Sequence, residues 1–462
     1  MKGSARKPAH SAAAFWRFPL TFAPPFGFSL LYPSFLLFPN MLDRTVAPPL
    51  QPLARVALPT AEVMPLPNAA RLHVLANDAQ PVVRLQVVLP AGKIAEPKPS
   101  LALLTARMLL EGTATRTARQ IADEVAFYGA SLDCESGPDR AMLTLYCLTR
   151  HLPTLLPLVH EVLTQPTFPE QELIQLKTRT VQNVQVERRK ASYRASERLN
   201  EHLFGAAHPY GQLFNEDAFL ALTCADVLAF HQAAYPLGGA EIFLCGDIDG
   251  YRQLVADTFG QGPTGAPTLA AAGALAPFQP GHDYVTVSGS LQASLRIGRP
   301  WPNPRHPETH QLNLLVKVLG GYFGSRLMRN IREDKGLTYG ISAGVTNREQ
   351  ATALIIGTDV KGDSAPLAVA EIQRELRRLQ EELIPADELE TVKNYTLGKF
   401  ANDLSTVFEQ ADKYRNVVLM HLPADYYTQF VQQIDAADAP ILQRLAQEYL
   451  SPDALQVVVA GA

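Results

Sequence analysis

Two histidines four residues apart, with an acid between them, stand at His306-Pro307-Glu308-Thr309-His310, a spacing at which one helix face presents two imidazoles to a metal ion. Pro307 suits only a first helical turn, Glu308 stands at neither acidic position of the helical zinc motifs, and no third ligand suggests itself. The string therefore reads as a helix N-terminus with surface histidines. Cys134, Cys147, Cys224 and Cys245 are scattered without a CxxC pair, so they signal neither a thiolate zinc centre nor a dithiol redox motif, and read as isolated buried thiols in a reducing compartment. The run Arg188-Arg189-Lys190, continuing to Arg194 and Arg198, could line a chamber that admits acidic peptides, but a solvated helix face is the simpler account. Gly320-Gly321 followed by Gly324 lacks the Lys-Ser/Thr ending of a phosphate loop, so these glycines are expected to shape a turn.

The elements that must carry such residues come in two similar sets. Pro169-Glu170-Gln171-Glu172-Leu173-Ile174-Gln175-Leu176-Lys177 is echoed 216 residues later by Pro385-Ala386-Asp387-Glu388-Leu389-Glu390-Thr391-Val392-Lys393. Asp226 to Phe230, leading to Tyr235 and the apolar Ile242 to Gly246, has a counterpart in Ile441 to Leu445, Tyr449 and Val457 to Gly461. So long a period points to two related domains rather than a solenoid. Residues 260–281 are rich in Gly, Ala, Pro and Thr without apolar periodicity, which places a linker at 269–278 between domains at 41–268 and 279–462. Val82 to Leu89 and Ser294 to Ile297 read as strands. Ile372, Leu376, Leu379 and Leu383 recur at helical spacing, with Glu371, Arg374, Glu375 and Arg378 outside that stripe. The expected fold class is α+β, each domain a mostly antiparallel sheet covered by helices.

The 462 residues carry a formal charge of −4 with acids and bases intermixed, which removes the electrostatic footprint of a nucleic-acid binder. Residues 1–40 are aromatic-rich but interrupted by prolines, including Pro24, Pro25 and Pro33, which break any spanning helix and leave no clear signal peptide. Translation from Met41 is the preferred account of that extension, with a membrane-surface anchor as the alternative, and a cytoplasmic location is expected.

The first half also holds Ser100-Leu101-Ala102-Leu103-Leu104-Thr105-Ala106-Arg107-Met108-Leu109-Leu110-Glu111-Gly112-Thr113, then Phe127-Tyr128-Gly129-Ala130 and His208-Pro209-Tyr210-Gly211. The second half holds Val318-Leu319-Gly320-Gly321, Gly324-Ser325-Arg326-Leu327 and Ile331-Arg332-Glu333-Asp334-Lys335-Gly336-Leu337-Thr338-Tyr339. Over roughly residues 65–462 the chain resembles the pitrilysin/insulinase family of zinc peptidases, which includes the mitochondrial processing peptidase. In active members a helix ending at the Gly-Thr step carries the inverted zinc motif HxxEH, with a Glu further along as third ligand. The resemblance lays that motif on Leu103-Leu104-Thr105-Ala106-Arg107, with Leu103, Ala106 and Arg107 at the functional positions and Asn183 at the third-ligand position. A leucine has no donor, an amide oxygen is a poor zinc ligand, and a guanidinium repels a dication. No cofactor is therefore expected in this chain.

The resemblance implies a different fate for the second half. There an Arg and a Tyr seven residues apart, here Arg332 and Tyr339, hydrogen-bond the substrate backbone near the scissile bond, and the Tyr helps stabilise the oxyanion. A rigid fork of N–H donors beside a phenol is chemically suited to that task. The plain alternative makes Arg332 a solvated helix residue and Tyr339 a strand residue half in the core. Since some members work as pairs, the resemblance implies half of a clamshell around unfolded peptides: this chain would supply Arg332 and Tyr339 to an HxxEH-bearing homologous subunit that holds the zinc. A structural or peptide-holding protein of the same fold is the second reading, a self-sufficient peptidase with another metal site the third, and a homodimer stays open.

Overall fold

The computed structural model describes residues 60–461, apart from 249, 268 and 270–272. The extension at 1–40 and the start at Met41 lie outside the described residues, as do positions 270–272 of the linker.

Strands β1 (Glu62–Pro65), β2 (Arg71–Ala76), β3 (Val82–Leu89), β4 (Ser131–Ser136), β5 (Ala141–Leu148) and β6 (Glu241–Gly246) form one sheet in the order β1-β2-β6-β3-β5-β4. β5 alternates buried and half-buried residues, whereas β3 is buried almost throughout, as befits a central strand covered on both faces. Helices α1 (Leu101–Met108), α2 (Ala118–Phe127), α3 (Leu152–Thr164), α4 (Glu170–Glu187), α5 (Ala191–Phe204), α6 (Glu216–Leu220), α7 (Cys224–Ala234) and α8 (Arg252–Phe259) accompany it. Thr117 and Thr223 open α2 and α7 with capping boxes closed by Gln120 and Asp226.

The second half repeats this plan. Strands β7 (Gly281–Thr286), β8 (Gln292–Pro300), β9 (Ile341–Asn347), β10 (Thr352–Lys361) and β11 (Gln456–Gly461) run in the order β7-β11-β8-β10-β9. With β1 set aside, strand order and direction correspond: one parallel pair in each sheet, β2 with β6 and β7 with β11, and antiparallel neighbours elsewhere. Its helices are α9 (Thr309–Gly320), α10 (Ala365–Glu381), α11 (Ala386–Asn402), α12 (Val407–Leu419), α13 (Tyr426–Ala436) and α14 (Ala439–Tyr449). Pro169 and Pro385 stand at the N-caps of α4 and α11. Two turns in, Lys177 Nζ donates to Leu222 O (2.7 Å) and Lys393 Nζ to Asp435 O (2.6 Å).

Two helices cross between the halves. α5 lies across β8 and β11, burying Ala195, Leu199, Leu203 and Phe204 against Ala353, Val458 and Ala460. Gly298 on β8 permits this approach, since a Cβ there would stand 3.3 Å from Leu199 Cδ2 and 3.5 Å from Leu203 Cδ1. Reciprocally, α12 lies against β6 and brings Ala411 onto Leu75 and Cys245.

Three sequence expectations need correction. Ile372, Leu376 and Leu379 are buried on α10 as expected, but Leu383 lies past the helix end, 55% exposed, and Ile384 takes the core position at 3%. Pro385 disfavours helical geometry at the residue before it, so the chain is extended there and the register shifts by one. Glu371 and Glu375, outside the apolar stripe, are buried rather than solvated. His310 is also buried, at 2% exposure, with its ring 4.5 Å from that of Tyr426 and 5.3 Å from that of Phe430, so the pair His306/His310 is not a surface pair.

Candidate peptide-binding site

Arg332 sits in a π-helical segment, Met328–Asp334, that leads towards β9. Asn330 anchors this segment: its Nδ2 donates to Glu371 Oε2 (3.0 Å) and Glu375 Oε1 (2.7 Å), the two buried carboxylates of α10. Burial works to raise the Glu371 carboxyl, but the Asn330 amide and the charges of Lys335 and Arg374 outweigh it and hold the group below its ordinary value. Gly336, at φ 62, then turns the chain through the left-handed region while its N–H reaches Arg332 O (3.2 Å) and the Leu337 N–H reaches Ile331 O (2.9 Å). Thr338 Oγ1 accepts the Gly340 N–H (3.1 Å) and donates to Asp359 O (2.8 Å), and Thr358 Oγ1 donates to Gly340 O (2.9 Å). These hydroxyls tie the backbone on both sides of Tyr339, whose side chain is left free.

Tyr339 is 98% exposed, so the alternative that places it half in the core is not what the fold does. It stands at a groove of about 590 Å³ on the face of β8, β10 and β9 that α5 also crosses, lined among others by Arg296, Asp359, Gly340, Gly344 and Gly357. Arg332 is half-buried and its guanidinium carbon lies 4.5 Å from the ring centroid of Phe323, itself 65% exposed. Among the described residues no side-chain hydrogen bond or ion pair engages that guanidinium, so its donors remain available, although Arg332 does not line the groove wall that Tyr339 does.

The first half presents a different surface at the positions where zinc ligands were sought. On α1, Leu103 is half-buried, Ala106 is wholly buried and Arg107 is exposed, its Nη1 3.3 Å from Thr180 Oγ1 of α4. Asn183, one turn beyond Thr180, is exposed on the same helix. The donor set is thus a hydrocarbon, a methyl, a cation already bonded to a hydroxyl, and one amide, and these residues do not fit a zinc ion. Among the described residues there is no group of three or more His, Cys, Asp or Glu arranged to hold a metal.

Glu96 was not singled out from the sequence. Its carboxylate accepts the Ser100 and Ala102 N–H groups at the start of α1, both at 2.9 Å, and burial lifts its pKa to about 6 against those hydrogen bonds and the charge of Lys93. An acid four residues ahead of the Ser-Leu-Ala-Leu run was the signal available, since such a group satisfies orphan N–H donors of a first turn. The basic run divides, with Arg189 and Lys190 exposed as a solvated face requires and Arg188 and Arg198 engaged. Arg188 pairs with Glu197 (3.1 Å) and stacks 5.9 Å from the Phe214 ring, while Arg198 pairs with Glu201 (2.6 Å) and with Asp283 on β7.

Comparison with known proteins agrees with this architecture. Residues 72–216 match the insulinase peptidase family M16, and residues 221–396 match the peptidase M16 inactive domain. A Bacillus subtilis protein described as the uncharacterized zinc protease YmxG is 23% identical over 352 residues, 75% of this chain and 84% of its own length. A Helicobacter pylori relative described as the non-peptidase homolog YmxG is 22% identical over 343 residues, 72% of this chain and 78% of its own. Among solved structures, the crystal structure of a peptidase M16 inactive domain from Pseudomonas fluorescens superposes with a TM-score of 0.80 at 24% identity, covering 87% of this chain and 98% of that one.

Proposed function

This chain belongs to the insulinase peptidase family M16, and from that premise we propose that it is the zinc-free subunit of a two-subunit peptidase, holding unfolded peptides for a homologous partner that carries HxxEH. The observation that supports this reading most is the presentation of Tyr339, 98% exposed beside a groove whose flanking backbone is tied by Thr338 and Thr358. Its phenol can donate to a peptide carbonyl and follow that oxygen as it gains charge, while the uncommitted guanidinium of Arg332 can hold a neighbouring carbonyl. An extended backbone can approach a groove lined by three glycines more closely than a folded surface can, which favours unfolded substrates. Leu103, Ala106, Arg107 and Asn183 leave this chain without catalysis of the family type on its own. Among the described residues no helix is long and apolar enough to cross a membrane, and a cytoplasmic location belongs to the proposal.

The test is to isolate the chain from its native cell with whatever accompanies it in near-equal amount, and to assay the assembly on an unstructured peptide. Co-purification of an HxxEH homologue is expected. Tyr339→Phe is then expected to lower kcat by about 100- to 1,000-fold with assembly unchanged, the usual effect of losing one oxyanion donor. Unchanged turnover would remove the proposed role of Tyr339. A second reading, a peptide-holding protein with no hydrolytic partner, is favoured by the description of the Helicobacter pylori relative as a non-peptidase homolog. Peptide retention by a chain that purifies alone would support it.

A further inference from the structure

β9 is the edge of the second sheet: β10 pairs with one side of it, and no strand pairs with the other among the described residues. Successive residues of β9 face opposite ways, with Ser342, Gly344 and Thr346 on the side of the Tyr339 groove and Ala343, Val345 and Asn347 on the side of the helices. On that helical side lies a second cavity, of about 390 Å³, between β9, α9, α11, α12 and α13, and it shares Gly344 and Val345 with the groove. Three ammonium groups line it, Lys317 from α9, Lys399 from α11 and Lys413 from α12, around a single carboxylate, Asp403. Lys399 Nζ is 3.0 Å and Lys413 Nζ 3.6 Å from Asp403, while Lys317 has no carboxylate partner among the described residues and stands over the Tyr395 ring at 5.6 Å.

Two further observations mark the cavity as built for a polar guest. His310 Nε2 and Thr396 Oγ1 have no hydrogen-bond partner, although the residues are 2% and 5% exposed, and both line the cavity. Buried polar atoms left unpaired are costly, and a ligand oxygen accepting from Thr396 Oγ1 would satisfy that hydroxyl. The charge balance of the lining, three ammonium groups against one carboxylate, selects an anion. Burial pushes His310 down to about 4, so at neutral pH it adds no charge to the lining.

We infer that this cavity is an acidic-side-chain subsite: an extended peptide laid along the free edge of β9 would place one side chain in the Tyr339 groove and the next, an Asp or Glu, among Lys317, Lys399 and Lys413. The inference rests on the peptide-holding reading above and adds a preference to it. Edge pairing supplies backbone hydrogen bonds without regard to sequence, and pockets for alternate side chains supply selectivity.

The test is fluorescence anisotropy at low salt with the full chain and two labelled, unstructured peptides that differ only in a central Glu or Gln. The Glu peptide is expected to bind about tenfold tighter. The double variant Lys399→Gln, Lys413→Gln is expected to abolish that preference while leaving the Kd for the Gln peptide unchanged, with a thermal melt confirming that it folds. Equal binding of the two peptides by the natural chain, or equal weakening of both in the variant, overturns the inference and leaves the peptide-holding reading standing. Binding of neither peptide overturns both.

Discussion

The two helices that cross between the halves do the same geometric job with opposite chemistry. α5 meets the second sheet through Ala195, Leu199, Leu203 and Phe204, and its charged groups, Arg198 and His202, meet Asp283 only at the margin. α12 meets the first sheet through a small apolar patch around Ala411 and through a buried polar network. There Arg84 Nη2 donates to Phe408 O (3.0 Å) and pairs with Asp412 (2.8 Å), Arg415 donates to Gln86 Oε1, and His73 bridges Tyr414 Oη (2.8 Å) and Glu241 Oε2 (2.7 Å). The α5 contact is held by area removed from water, and the α12 contact by directional bonds that must all be in register. Dry contacts resist salt and tolerate small shifts, whereas a polar network loses whole donors when it moves.

That contrast sets an order of sensitivity. Leu199→Ala, at 1% exposure under a sheet that approaches through Gly298, is expected to cost about 3 kcal/mol in urea unfolding, because the rigid strand surface cannot close on the void. A cost no larger than that of an exposed substitution would show the α5 contact to be loose. Arg84→Met keeps the stem and removes the bonds to Tyr146, Phe408 O and Asp412, with about 1–2 kcal/mol expected, the lower part because Asp412 is 43% exposed and can rehydrate. High salt should weaken the α12 contact more than the α5 contact, whose ion pairs stand only at its margin, so a salt dependence of the midpoint that Arg84→Met reduces would confirm the division.

The smallest effect is one of pH. The fold holds the Asp283 carboxyl below its ordinary value, chiefly through its hydrogen bond with His202, with burial opposing and Arg198 assisting. For Glu241 burial works upward, yet the bonds from His73 and Arg71 prevail and its value is likewise low. A depressed carboxyl contributes stability that is fully present above its unfolded value, near ~4, and is lost as pH falls through its folded value. Asp283→Asn and Glu241→Gln should therefore each flatten the acid-side fall of the unfolding midpoint without altering its alkaline side. A flattening on the alkaline side instead would reverse the sign derived for both groups.

Much of the frame was legible in the sequence. The Pro169 and Pro385 segments open corresponding helices with corresponding lysine contacts, and Val82 to Leu89 forms β3 in full. Arg332 and Tyr339 were identified by their resemblance to a motif, and the fold leaves both side chains accessible. What stayed hidden was partnership over long separations. The periodicity of α5 tells that it has an apolar face, not that the face covers a sheet whose strands begin far downstream. Glu371 and Glu375 look like a solvated stripe because the amide that takes them inside, Asn330, belongs to another segment. Lys317, Lys399 and Lys413 come from three helices, and no window of sequence shows them as a cluster.

The crossing of α5 also has a temporal side. During synthesis Leu199, Leu203 and Phe204 leave the ribosome 252 residues before Gln456 begins β11, the last strand they cover. At translation speeds of about 5–20 residues per second, that face waits on the order of 10–50 s for the complete sheet it covers. The contact that joins the halves through α5 is thus completed only once β11 has been made, so the N-terminal half is synthesised well before the surface that buries its crossing helix is whole.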